Sequence, residues 1–166
     1  MKRAVIRIIG LDPGLRHTGW GLVELAGNQL RPVDCGVISG GVEAPMAERL
    51  QHLHDELTQV LRDLRPDEAA VEEIFVNCNP SSALKLGMAR GAIMLVPARL
   101  GITISEYAAT VVKKTVTGNG QADKTQVQSM VTLLLPGLPN IDSKDASDAL
   151  AVAICHAHHR RSKEWG

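Results

Sequence analysis

The chain has 166 residues, 45% of them apolar, which fits one compact domain with a sizeable core. Lys plus Arg and Asp plus Glu both number 18, so no global field marks a polyanionic partner, and any such partner has to meet a local basic face. Cys35, Cys78 and Cys155 are odd in number and lack a C-x-x-C pair, which argues against a disulfide framework or a cysteine zinc site and points to a reducing cytoplasm.

The opening "MKRAVIRIIG" is basic like a signal peptide, but Arg7 interrupts its apolar stretch and no small-residue cleavage site follows. No apolar run reaches the ~18 residues of a membrane span, so no membrane partner is expected. Three strands are expected first, at Ala4 to Leu11, Thr18 to Leu25 and Gln29 to Ile38, joined by turns containing Pro13-Gly14 and Gly27-Asn28. Such short connections favour antiparallel pairing. In "PMAERLQHLHDELTQVLRDLRP", Leu50, Leu53, Leu57, Val60, Leu61 and Leu64 recur at three- and four-residue steps, an amphipathic helix that Pro66 stops.

A short strand is expected in "DEAAVEEIF", then a helix in "NPSSALKLGMARGAIMLVPARLG", capped by Ser81 or Ser82, kinked or shortened by Pro97 and ended near Gly101. "ITISEY" is the fifth strand. Helices follow at Ala108 to Thr117, Lys124 to Leu135 and Asp145 to about His159. Three antiparallel strands and then two separated by helices make an α/β fold, a five-stranded mixed sheet flanked by helices. Residues 1–160 are expected to form a single domain and 161–166 a short flexible tail.

The acids raise the question of chemistry. A run of buried apolar residues delivers Asp12 into a glycine-punctuated turn, "IIGLDPGLRHTGWG", where an uncompensated carboxylate costs several kcal/mol, roughly. "GLDPG" is a good plain turn, but ligand and catalytic groups gather where the strands of an α/β sheet run out. Gly14, Gly19 and Gly21 would let the neighbouring backbone approach a substrate. Glu72 and Glu73 end the fourth strand. Alternation sends them to opposite faces, and spacing does not say which one faces a shared centre. Asp145 and Asp148, three apart at the start of the last helix, stack on one face, where helix capping and chemistry are both open readings. Acids converging from separate elements repel one another unless divalent cations intervene, and oxygen ligands suit magnesium or manganese.

Four stretches, "GLDPGLRHTGWG", "AVEEIFVNCNPSSALKLGMARG", "EYAATVVKKTVTGNGQADKTQVQ" and "DASDALAVAICHAH", resemble the RuvC family of bacterial Holliday junction resolvases, in the family's order and over nearly the whole chain. The resemblance implies an RNase H-like fold, a homodimer, and paired incision of opposing strands of four-way junction DNA during recombination and repair. It implies two Mg2+ ions per site, with Mn2+ able to substitute, and RuvA and RuvB as partners. The family's catalytic, metal-binding acids fall on Asp12, Glu72, Asp145 and Asp148, choosing Glu72 over Glu73. Its basic residues near the scissile phosphate match Lys113 and Lys124, which flank "TVTGNGQAD" and otherwise read as solvated helix-end lysines.

The same resemblance puts a DNA-contacting aromatic at Phe75, and Lys85, Arg90 and Lys114 are further candidates for phosphate contacts. His17 follows the first acid without an assigned role, as do His156, His158 and His159 beside Arg160 and Arg161. Three other readings share parts of this pattern. A kinase-like ATPase shares the first turn but needs two such domains. An RNase H-like nuclease of ribosomal RNA precursors shares the first motif. A non-catalytic junction-binding module would give the acids no reason to converge.

Overall fold

The computed structural model describes residues 4–74, 79–138, 141 and 143–164, the last four of these by their backbone alone. In chain order it contains β1 (Val5–Asp12), β2 (His17–Ala26), β3 (Gln29–Ser39), α1 (Met46–Leu64), β4 (Glu68–Glu72), α2 (Pro80–Arg99), β5 (Thr103–Tyr107), α3 (Ala109–Thr117), α4 (Lys124–Leu134) and α5 (Lys144–Glu164). The strands form one sheet in the order β3-β2-β1-β4-β5. The β1–β2 and β2–β3 pairs are antiparallel, and β4 and β5 add in parallel. This is the expected mixed sheet. Pro32 lies in β3, an edge strand, where a missing N–H is tolerated.

Two hydrophobic cores sandwich the sheet, and strand alternation assigns residues to them. Ile8, Val23 and Ala70 pack with Val112 and Val116 of α3, Val127 and Val131 of α4 and the alanine-rich face of α5. Ile9, Leu11, Leu22, Ala69 and Val71 turn the other way, onto Leu53, Leu57 and Leu61 of α1 and Ala89, Ile93 and Val96 of α2. The side of β1 that carries Ile8 and Gly10 therefore also carries Asp12. Gly10 is required here: a Cβ on it would lie 1.9 Å from the Ala149 carbonyl oxygen, so α5 rests directly on the strand.

Element ends differ from expectation for local reasons. Asn79, not Ser81 or Ser82, caps α2, accepting hydrogen bonds from the Ser81 and Ser82 N–H groups. Pro80 starts the helix, and the residue before a proline is driven to extended backbone, which suits a cap. Pro97 lies in the last turn, and α2 ends two residues later at Arg99. Asp123 and Gln126 form a reciprocal capping box that starts α4. β4 stops at Glu72, short of the expected Phe75, which with Cys78 lies outside the described residues. Helix α5 continues past His159 to Glu164, into the stretch expected as a tail. Arg160 ties it down through a 2.9 Å bond to Glu68.

Candidate active site

Four carboxylates come together from three elements at one end of the sheet. Asp12 ends β1, and Glu72 ends the parallel neighbour β4, one residue past the Leu11–Val71 pair. Both occupy the alternation that faces α5. Asp145 and Asp148, on the first turns of α5, arrive from above because Gly19, the partner of Asp12 across the β1–β2 ladder, has no side chain. A Cβ on Gly19 would lie 2.0 Å from the Asp145 carbonyl oxygen, and one on Gly21 2.5 Å from the Leu150 side chain. The space at Gly19 and Gly21 is thus filled by α5 and not held for a substrate: these glycines let the helix descend onto the sheet. Glu73 is exposed and donates its backbone N–H to the Tyr107 carbonyl at 2.8 Å, which leaves Glu72 as the inward acid.

The charges are felt. Burial first, and then repulsion from Asp148, Asp145 and Glu72, pushes the Asp12 carboxyl up to about 7, with Lys124 opposing. Glu72 is raised by burial and by Asp148, against the pull of Lys113, Lys124 and Arg90. Asp148 is raised by burial even though Lys124 Nζ stands 3.5 Å from its carboxylate. Four hard oxygen donors holding a protein-borne proton near neutrality are short of positive charge, and that donor set fits a divalent cation such as magnesium. Among the described residues no three Asp, Glu, His or Cys side chains already stand close enough to enclose an ion, so cation binding entails drawing these carboxylates together.

The cationic candidates separate. Lys113 on α3 and Lys124 at the start of α4 act electrostatically on Glu72, and Lys124 also on Asp12 and Asp148. Arg90 donates to the Glu72 carbonyl and pairs with Glu106; its side chain is only 12% exposed, so it braces the end of β4 from within the fold. Lys85 is exposed on the wall of a cavity that reaches Asp145. Lys114 is exposed on α3, where its carbonyl accepts the N–H of Gly118. Phe75 lies outside the described residues. His17, exposed at the start of β2, shares the cavity with Lys85.

One polar cluster has no counterpart among the sequence expectations. Tyr107 Oη lies 2.7 Å from His156 Nδ1, and His156 Nε2 lies 2.7 Å from Glu68, which also accepts from Arg160. Burial disfavours the Glu68 carboxylate, but hydrogen bonds from Arg160 and His156 outweigh it and lower its proton affinity. The only sequence trace is the alternation 68, 70, 72 in β4 and the four-residue step from His156 to Arg160. These put the groups on facing surfaces and do not pair them.

A five-stranded sheet of this order, with acids at the end of the first strand, the end of the fourth and the start of the last helix, is an RNase H-like fold of the nuclease kind. The family model described as "Crossover junction endodeoxyribonuclease RuvC" matches residues 8–156. The chain belongs to that family. Relatives bearing the same description from Xanthobacter autotrophicus and Azorhizobium caulinodans are 57% and 58% identical over 160 residues, 96% of this chain and 94% of theirs. Thermus thermophilus RuvC, solved in complex with a Holliday junction substrate, superposes with a TM-score of 0.88 at 31% identity, covering 95% of this chain and 96% of that one.

Proposed function

We propose that the chain is a metal-dependent endonuclease that resolves Holliday junctions, cutting two opposing strands of a four-way DNA junction during recombination and repair. The observation that carries the reading is the convergence at one sheet end of Asp12 from β1, Glu72 from β4 and Asp145 and Asp148 from α5, where burial and the other three acids push the half-buried Asp12 carboxyl up to about 7. An acid that only capped a turn or a helix would not meet the others. Asp12, Glu72, Asp145 and Asp148 would hold two Mg2+ ions, or Mn2+ in their place. When bound, the ions lower the proton affinity of a water and offset charge on the departing 3′ oxygen. The products are a 5′ phosphate and a 3′ hydroxyl.

The chain's own groups set up the attack. Arg90 fixes the end of β4, and so the Glu72 backbone, through the Glu72 carbonyl. The close packing of α5 at Gly10 and Gly19 holds Asp145 and Asp148 over the sheet end. Lys113 and Lys124 place positive charge beside the carboxylates, where it opposes the charge gathering on the phosphoryl oxygens in the transition state. Phe75, Lys85 and Lys114 are assigned to DNA contact.

A homodimer supplies the second cut. Its support is a row of exposed residues three and four apart on α2, namely Leu84, Gly87, Met88, Gly91 and Leu95, where the glycines permit close approach of a second helix. RuvA and RuvB complete the proposed assembly. The test is Asp12→Asn on a synthetic four-way junction in magnesium. Cleavage is expected to vanish while junction binding persists or tightens, because a negative charge facing the phosphate has gone. Normal cleavage by this variant would contradict the assignment.

A further inference from the structure

A cavity of about 600 Å³ opens beside the carboxylate cluster, between the β1–β2 turn and the facing sides of α1 and α2. Arg16 and His17 line it from the turn and the start of β2, Arg49 from α1 and Lys85 from α2, and Asp145 of the carboxylate cluster lines it as well. Arg16 and Lys85 are exposed and Arg49 is half-buried. Among the described residues none of these three makes an ion pair, and the Nε of Arg49 is buried without a hydrogen-bond acceptor. A buried guanidinium N–H is rarely left so, and an acceptor brought by a ligand satisfies it. In a chain of zero formal charge, three unpaired cations around one concavity are a local basic face.

We infer that this cavity is a phosphate subsite that grips the DNA backbone at a nucleotide beside the one cut. The inference rests on the nuclease reading and deepens it by naming Arg16 and Arg49, together with Lys85, as the residues that set where along the strand the cut falls. The chemistry is that of a phosphodiester. Arg49 presents a planar fork with an unused donor, Arg16 and Lys85 add charge at the rim, and the Asp145 carboxylate repels the anion outward toward them. Cations on both sides of the opening give a passing strand one register, because shifting it by a nucleotide would carry a phosphate away from Arg49 and toward Asp145.

The experiment measures junction affinity against salt for the wild type and for Arg16→Gln, Lys85→Gln and Arg49→Gln. Arg62→Gln on the far part of α1 is the control, and thermal melting confirms folding of each variant. Each subsite variant is expected to weaken binding several-fold, the arginine variants most, and to lower the log–log salt slope by about one for each phosphate that is no longer neutralised. Methylphosphonate substitution at single backbone positions then locates the phosphate concerned. One neutralised phosphate should weaken the wild type and leave Arg49→Gln unaffected, and the mapped nick should slip to neighbouring positions in that variant.

Unchanged slopes in Arg16→Gln and Lys85→Gln, which are exposed and do not threaten the fold, would overturn the subsite while wild-type cutting still upheld the nuclease. A wild type that neither binds nor cuts the junction would refute the underlying reading instead. Inorganic phosphate that raises the melting temperature of the wild type and not of Arg49→Gln, yet fails to displace DNA better than chloride at equal ionic strength, would mark a free-anion site and overturn the assignment to the backbone.

Discussion

Replacing Asp12 by Asn should change how the metal-free protein responds to pH. The carboxyl ordinarily releases its proton at 3.8 and does so at about 7 in the fold. Between those values the folded chain holds a proton that the unfolded chain does not. Stability is therefore lost as pH rises, at about 1.4 kcal/mol per pH unit for one proton. From about pH 5 to about pH 8 the loss is roughly 2.5 kcal/mol, because the slope fades as the folded carboxyl itself ionises near 7, and little follows above that. For a chain of this size that is a fall of roughly 8 °C in melting temperature. Asp12→Asn, which is neutral throughout, should lack most of this slope. A small residue remains because burial and charge also raise Glu72 and Asp148. The assay is urea unfolding in chelator at about pH 5 and about pH 8, repeated in magnesium. Magnesium at 100 times its dissociation constant should return about 2.7 kcal/mol to the wild type at the higher pH, and less to the variant. Equal pH slopes in the two proteins would mean that neither burial nor the neighbouring carboxylates perturb Asp12.

Other changes test other parts of the account. Arg90→Gln removes the brace on Glu72 and should slow cleavage about tenfold with little change in junction affinity; a loss confined to affinity would make Arg90 a DNA contact instead. Lys124→Ala should release the carboxylate cluster from its nearest cation and reduce cleavage by roughly a hundredfold, measured as single-turnover rate, while Lys114→Ala stays within a few-fold. Gly10→Ala drives a methyl group into the Ala149 carbonyl and should cost on the order of 3 kcal/mol in urea unfolding. His156→Phe removes a hydrogen-bond partner from Tyr107 Oη and from one Glu68 oxygen and should cost roughly 2 kcal/mol, readable by thermal unfolding.

Local patterns announce the sheet and its flanking helices because their signals are local: leucines at four-residue steps in α1, alternation in β1, Pro13-Gly14 between the first strands. The choice between Glu72 and Glu73 is not local. It depends on which side of β4 meets α5, and that is decided by Gly10 and Gly19 letting a helix from the far end of the chain settle on the sheet. In the sequence Gly19 and Gly21 read as room for a ligand, because a missing side chain does not say what fills the space. The link from Glu68 to His156 spans 88 residues and has no spacing signature at all. Arg16 and Arg49 are silent in the sequence for the same reason: one sits in a turn and the other in a helix, and only the fold gives them a common cavity.

The gathered carboxylates, on the proposed function, hold divalent ions that support paired cutting of a DNA junction. The direct measurement labels each strand of a synthetic four-way junction in turn and maps nicks with magnesium and with chelator. Symmetric nicks in two opposing strands, with 5′ phosphate ends and only in magnesium, are the expected result. Nicks that persist in chelator, or junctions left intact in magnesium, would contradict it.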